Sequence, residues 1–229
     1  MGTTIVMAHR GGASGRGENT IPAFRAALGA GAGGLESDAW LTADGVVVLD
    51  HDGIIGRPGR RRRLRSVECA DLPGRLPSLA GLYAACGTAF QLSLDLCDPA
   101  ALPEVVRVAA RAGGLDRLWL CHGDAALLSS WRDRVGPARL VHSTTTARWG
   151  ESPARQVADL ARAGVSAVNL RWPEWRPELV SACRDGGLAT LAWGVSRRAT
   201  AVRLVRMGVD ALYGDRVDVL MAAVARAQG

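Results

Sequence analysis

Lysine is absent: all 28 basic residues of this 229-residue chain are arginine. That excludes a Schiff-base aldolase lysine, a phosphate-loop lysine and a lysine general base, so any charged contact to a phosphate must come from arginine. Long apolar runs are missing too, and none approaches the roughly 18 residues that would mark a membrane span. The N-terminus, Met1-Gly2-Thr3-Thr4-Ile5-Val6, lacks a basic start followed by an apolar stretch and reads as running straight into a strand. No secretory leader is therefore expected. Cysteines are five (Cys69, Cys86, Cys97, Cys121, Cys183), an odd number with no C-x-x-C pair. This argues against a zinc site or a disulfide framework and for reduced thiols in a cytoplasmic setting.

What is present fits one domain over residues 1–229, since 48% apolar content is ordinary for a packed core. The net charge of +6 is concentrated in Arg57-Pro58-Gly59-Arg60-Arg61-Arg62-Arg63-Leu64-Arg65. Such a run reads first as a solvated loop, and second as a weak contact of Arg60–Arg65 with an anionic membrane surface. No zinc-finger, helix-turn-helix or aromatic-plus-basic pattern accompanies it, so specific nucleic-acid binding is not expected. Nothing in the sequence fixes an oligomeric state.

Apolar runs alternate with amphipathic stretches almost to the C-terminus. Strands are predicted at Ile5–His9, Leu35–Ala39, Phe90–Asp95, Leu118–His122, Arg139–Ser143, Ala167–Leu170, Ala189–Val195 and Ala211–Tyr213. Helical stretches follow each of them, from Ala23–Gly31 and Leu79–Cys86 through Ala125–Val135 to Val217–Ala227. Eight strands each followed by a helix is the count of a (β/α)8 TIM barrel, an α/β fold whose active sites form at the C-terminal rim of the strands. His9, Glu36, Asp38, Asp95, His122, His142, Asn169 and Trp193 all fall at or near such ends.

Between Asp38 and His51 lies Trp40-Leu41-Thr42-Ala43-Asp44-Gly45-Val46-Val47-Val48, two short strands around an Asp-Gly turn. A two-residue Asp44-Gly45 loop is a strong hairpin signal, and counting outward from it sets Asp38 opposite His51. Cross-strand partners lie about 4.5–5.5 Å apart at Cβ. Glu36 and Asp38, two residues apart, share a strand face, so the pattern gathers Glu36, Asp38 and His51 into one small volume. Two carboxylates on one face, joined by a third, suit Mg2+ or Ca2+, which prefer oxygen ligands. His9 and His51 suit an acid–base pair near neutral pH. Gly11-Gly12 and Gly15 do not have the spacing of a dinucleotide-binding loop.

These segments occur in a telling order: His9-Arg10-Gly11, Glu18-Asn19-Thr20, Glu36-x-Asp38, Thr42-x-Asp44-Gly45-Val46 and His51-Asp52. Over roughly residues 5–52 the chain resembles the glycerophosphodiester phosphodiesterase family. A weaker likeness continues through Leu76-Pro77-Ser78-Leu79 and Gly208-Val209-Asp210-Ala211-Leu212-Tyr213-Gly214-Asp215. The resemblance implies a metal-dependent phosphodiesterase in which one of His9 and His51 activates the nucleophile and the other protonates the leaving alcohol. It also implies substrate-binding roles for Arg10, Glu18 and Trp193, and metal ligation by Glu36, Asp38 and Asp95. The nucleophile is water or the substrate's own neighbouring hydroxyl. Asn19 or Thr20 also fits a cap for the following helix. Trp193, and the Trp172-Pro173-Glu174-Trp175 pair, read either as core or as an apolar rim for a lipid-derived substrate.

Several positions depart from the family pattern. Asp95 stands at a glutamate position, Cys97 at a lysine position and Gly17 at a proline position. Loss of the lysine leaves Arg10 as the principal candidate cation for the phosphate. Residues 53–75 are a shortened form of the family's insertion, which predicts a smaller cap and a more open pocket. The expected substrate is a small glycerophosphodiester. Two alternatives stand beside it: phospholipase D-like cleavage of a lysophospholipid on the same site, and a non-catalytic phosphate- or lipid-binding barrel.

Overall fold

Alternation along the strands sets the architecture. In Gln91–Leu96, Leu92, Leu94 and Leu96 are buried in the layer beneath the helices, whereas Ser93 and Asp95 take the opposite, inward face. The computed structural model describes residues 3–12, 17–149 and 152–228; Gly15 lies outside the described residues. In chain order its strands are β1 (Ile5–Ala8), β2 (Gly34–Leu41), β3 (Val47–Leu49), β4 (Ile54–Ile55), β5 (Arg62–Arg63), β6 (Gln91–Leu96), β7 (Leu118–His122), β8 (Arg139–Ser143), β9 (Ala167–Arg171), β10 (Ala189–Trp193) and β11 (Ala211–Gly214). The helices are α1 (Ile21–Gly29), α2 (Leu79–Cys86), α3 (Leu102–Ala112), α4 (Ala125–Trp131), α5 (Pro153–Arg162), α6 (Pro177–Asp185), α7 (Arg198–Met207) and α8 (Val217–Gln228).

Strands β1, β2 and β6 through β11 pair in parallel in that order, and β1 pairs with both β2 and β11, which closes the (β/α)8 barrel. Inside it, Met7, Trp119, Cys121, Val141, Leu191 and Tyr213 form a central cluster. Polar atoms there are paired: Tyr213 Oη donates to Ser93 Oγ at 3.1 Å, and Trp119 Nε1 donates to Gln91 Oε1 at 2.7 Å. Outside, the strands pack against amphipathic helices; α3, for example, buries Leu102, Val105 and Ala109. Helix starts are capped where the sequence offers a hydroxyl, by Thr20 on α1, Ser78 on α2 and Ser152 on α5. Helix α4 is shorter than predicted: it stops at Trp131 and tightens into a 3-10 turn over Arg132–Arg134.

The hairpin after β2 forms, but not in the predicted register. Ala39, Trp40 and Leu41 face Leu49, Val48 and Val47, so Asp38 falls opposite Asp50 rather than His51, and the Asp50 N–H donates to the Asp38 carbonyl at 3.1 Å. Thr42 is the cause. Its Oγ1 accepts the Val46 N–H at 2.9 Å and donates to Asp44 Oδ1 at 2.6 Å, while the Cys69 N–H also donates to Asp44 at 2.9 Å. Asp44 is thereby held out of the left-handed conformation that a two-residue turn of this kind demands of both residues; only Gly45 adopts it, at φ 80°. His51 reaches the barrel mouth because the chain bends beyond Leu49. Trp40 Nε1 donates to the Asp50 carbonyl at 2.7 Å and the Gly53 N–H to Asp50 Oδ2 at 3.0 Å, which pins that bend.

Residues 53–76 form a small flap. The ribbon β4–β5 lies over Leu64 and Leu76, which pack with Val48 in a separate apolar cluster. From the arginine run, Arg65 Nε donates to Asp98 Oδ2 at 3.1 Å, and Asp98 is buried. Arg60 through Arg63 remain exposed.

Candidate active site

The rim after β1 is built by a backbone that few residues tolerate. Past Ala8 the chain makes a tight 3-10 turn over His9–Gly11, with Arg10 in the left-handed region at φ 50°, ψ 31°. Such a conformation costs a non-glycine residue about 1–3 kcal/mol. It turns the Arg10 N–H toward Glu36 Oε2, to which it donates at 3.0 Å, and sets the Arg10 Nη1 against Glu18 Oε2 at 3.3 Å. Gly11 follows at φ 84°, where a Cβ would meet Ala23 and Phe24 at 3.0 Å, so only glycine fits between this turn and α1. Asn19, also left-handed at φ 50°, donates its N–H to the Arg10 carbonyl at 3.0 Å, and its side chain accepts from Ser37 Oγ at 2.7 Å. Of the two predicted caps, then, Thr20 caps the helix and Asn19 braces the turn.

Glu36 and Asp38 project from one face of β2, and Asp95 comes from the neighbouring β6, where it sits beside Asp38 in the ladder. One oxygen from each of the three lies within 4.8 Å of the others. Burial, together with the charges of Asp38 and Asp95, holds Glu36 well above the usual carboxylate range. Burial and the charge of Asp95 push Asp38 up to about 7, and burial raises Asp95 as well. Arg10 offsets this only in part: its Nε stands 3.8 Å from Asp38 Oδ2, and both atoms are buried without a hydrogen-bond partner among the described residues.

Both predicted histidines reach this cavity, of about 380 Å³, which His9, Arg10, Glu36, Asp38, His51 and Asp95 all line. Each imidazole leans on a carboxylate. His9 Nδ1 lies 2.7 Å from Asp215 Oδ1, past the end of β11, and His51 Nδ1 lies 2.8 Å from Asp52 Oδ1. A carboxylate at Nδ1 favours the proton there, which leaves Nε2 as the reactive nitrogen. His9 Nε2 is 3.9 Å from Glu36 Oε2, beside the acidic cluster. Trp193 lines the same cavity at the rim, 37% exposed, and Glu18 touches it only through Arg10.

A family model described as the glycerophosphoryl diester phosphodiesterase family matches residues 9–122 and 88–219. The chain belongs to this family. It is accordingly a phosphoric diester hydrolase. A glycerophosphodiester phosphodiesterase of Caldanaerobacter subterraneus subsp. tengcongensis is 24% identical over 96% of this chain and 98% of its own length. The crystal structure of a putative glycerophosphoryl diester phosphodiesterase from Silicibacter pomeroyi superposes with a TM-score of 0.83 at 24% identity, covering 99% of this chain and 95% of that one. An Oleispira antarctica phosphodiesterase in complex with the product sn-glycerol-3-phosphate gives 0.79 at 18% identity, covering 97% of each chain.

Within this family member, other predicted residues stay outside the cavity. His122 packs edge-on against Trp131, with ring centroids 5.7 Å apart, and its Nδ1 accepts the Asp124 N–H at 3.0 Å. His142 is buried, with Nε2 3.2 Å from the Gly123 carbonyl, and burial lowers its pKa. Trp175 is fully buried and donates to the Leu191 carbonyl at 3.0 Å, so it belongs to the core and not to a rim; Trp172 lies under the Arg203 guanidinium. Conversely, sequence reasoning gave no role to Asp215, Asp52, Thr144 or Arg148. Asp215 directly follows a strand end, a position the barrel-rim rule marks out. Arg148 sits several residues beyond β8, where no local pattern points to it.

The acidic cluster fits a hard divalent cation. Three carboxylates with oxygens within 4.8 Å of one another, one of those groups with an unpartnered buried oxygen, outnumber the single cation Arg10 beside them, and the donor set is all oxygen. Cys97, at the family's lysine position, has its Sγ 4.0 Å from Asp38 Oδ1, and burial pushes its thiol up to about 12, so it contributes no charge of its own.

Proposed function

We propose that the chain hydrolyses glycerophosphodiesters to glycerol 3-phosphate and an alcohol, with His9 and His51 as the acid–base pair and Glu36, Asp38 and Asp95 as ligands of Mg2+ or Ca2+. The observation that carries this reading is the sharing of one cavity by three carboxylates within 4.8 Å of one another, two imidazoles and Arg10. When bound, the cation supplies charge that polarises the phosphoryl group. Arg10, braced by Glu18, pairs with a nonbridging phosphate oxygen. One imidazole takes the proton of the attacking hydroxyl at Nε2 as the new O–P bond forms. The other donates its Nε2 proton to the departing alcohol oxygen as the old P–O bond breaks. Water as nucleophile, or the adjacent glycerol hydroxyl followed by water, gives the same products. The relative from Oleispira antarctica, in complex with sn-glycerol-3-phosphate, supports the choice of product.

A single domain over residues 1–229 and a cytoplasmic setting belong to the same reading. The five cysteines are free, which fits a reducing compartment, and no described helix is long and apolar enough to cross a membrane. The test is release of glycerol 3-phosphate followed by phosphorus NMR. His9→Ala and His51→Ala should each lose at least ~100-fold in turnover while keeping the native melting profile. Near-full activity in either folded variant would remove that histidine from the mechanism.

A further inference from the structure

The cavity has a second wall. Going round the barrel, β8, β9 and β10 stand across from β1, β2 and β6, so Arg148, Thr144, Asn169 and Trp193 face the carboxylates across the mouth. Thr144 and Asn169 are 7% and 5% exposed, and neither Thr144 Oγ1 nor Asn169 Oδ1 has a hydrogen-bond partner among the described residues. A buried hydroxyl or amide oxygen left unpaired has given up its water without return, and a polar ligand group would restore the lost hydrogen bond. Asn169 is held in place, with Nδ2 donating to Ser143 Oγ at 3.2 Å.

The loop carrying Arg148 is likewise anchored. The Thr146 N–H and Oγ1 both donate to Glu174 Oε2, at 2.6 and 2.9 Å, and Trp149 is buried directly behind. The Arg148 N–H donates to the Thr145 carbonyl at 3.1 Å, but its guanidinium, unlike that of Arg10, forms no ion pair or hydrogen bond among the described residues. The one well-exposed aromatic on this side, Trp193, already has the Arg171 guanidinium 5.9 Å from its ring centroid. A quaternary ammonium, which seeks open aromatic faces, would meet two arginines instead.

We propose that this wall is the subsite for the alcohol half of the diester, and that Arg148 there selects alcohols bearing hydroxyls or negative charge over those bearing a quaternary ammonium. Glycerol is the same neutral diol in every substrate, so a fixed cation discriminates only through the half that varies in charge. The inference rests on the hydrolase reading above.

Its test is kcat/KM for glycerophosphoinositol, glycerophosphoglycerol and glycerophosphocholine with the wild-type chain and with Arg148→Gln, Arg148→Glu and Arg148→Lys. The wild type should prefer the two polyol substrates over the choline diester by about tenfold or more, as a charge left facing the wrong group costs at least ~1.4 kcal/mol. Arg148→Gln should erase most of that ratio, Arg148→Glu should invert it, and Arg148→Lys should keep it. A uniform loss on all three diesters, or a ratio unmoved by Arg148→Gln, would overturn the selectivity while leaving hydrolysis intact. A wild type that releases glycerol 3-phosphate from none of them would overturn the hydrolase reading and the subsite together.

Discussion

A carboxylate on Nδ1 decides which nitrogen of an imidazole is left to react, and here both site histidines have one. Asp215 approaches His9 from the opposite end of the sequence, 206 positions away, so no local pattern could have joined them. His9, Glu36 and Asp38, by contrast, were legible from their places at strand ends and on one strand face, whereas His51 lines the same cavity although the register that pointed to it is one residue off. Arg148 was not legible, because its distance from β8 is set by an irregular loop rather than by a strand period. As a positioning residue, Asp215 makes a specific prediction. Asp215→Asn keeps the shape but inverts the tautomer preference, so turnover should fall about tenfold to 100-fold. The same change should shift the limb of the pH–rate profile that reports His9, and Asp215→Glu should recover part of the loss. A profile superposable on the wild type would show that Asp215 does not act through His9.

Among elements, the hairpin shows where spacing misleads. Counting residues across Asp44-Gly45 assumed that the turn is made by backbone alone, whereas the Thr42 hydroxyl supplies one of its bonds and adds a residue to the loop. A one-residue slip normally carries a side chain to the other face. His51 escapes this because it lies past the last paired residue, Leu49, in a bend fixed by Trp40 and Gly53. The flap over residues 53–76 depends on a different tie. Arg65 joins it to Asp98, which is buried at the start of the turn before α3. This pair anchors the last arginine of the run, whose side chain stays 66% exposed beside the exposed Arg60–Arg63. Arg65→Ala should therefore speed amide exchange across residues 54–66 while barrel strands such as β6 and β7 keep their protection. Uniformly faster exchange would mean that Asp98 supports the barrel and not the flap.

At the scale of the molecule, the barrel was legible because eight βα units of ordinary length leave few other closures, and β7 and β8 begin and end where the apolar runs do. What the pattern could not give is the electrostatic state of the mouth. Three carboxylates are brought together there by the pairing of β2 with β6 and held above their ordinary pKa values by burial, to which the neighbouring acidic charges add for Glu36 and Asp38. Carboxylates that keep protons in the folded state longer than in the unfolded one make stability fall as pH rises. For Asp38 that contribution is complete below about pH 4, the unfolded range, and lost as pH climbs through about 7. A cation held by the cluster removes the penalty, and at a hundredfold excess over its Kd adds about 2.7 kcal/mol.

The central claim, that this acidic cluster is a divalent-cation site, is tested most directly by thermal unfolding of the chelator-treated protein between pH 5 and pH 8, repeated with Mg2+ or Ca2+. The melting temperature should drop as pH rises in chelator. Saturating cation should restore it at pH 8 by roughly 5–10 °C for a chain of this size, and Asp38→Asn should abolish the response to cation and weaken the response to pH. A melting temperature indifferent to both pH and cation across that range would contradict it.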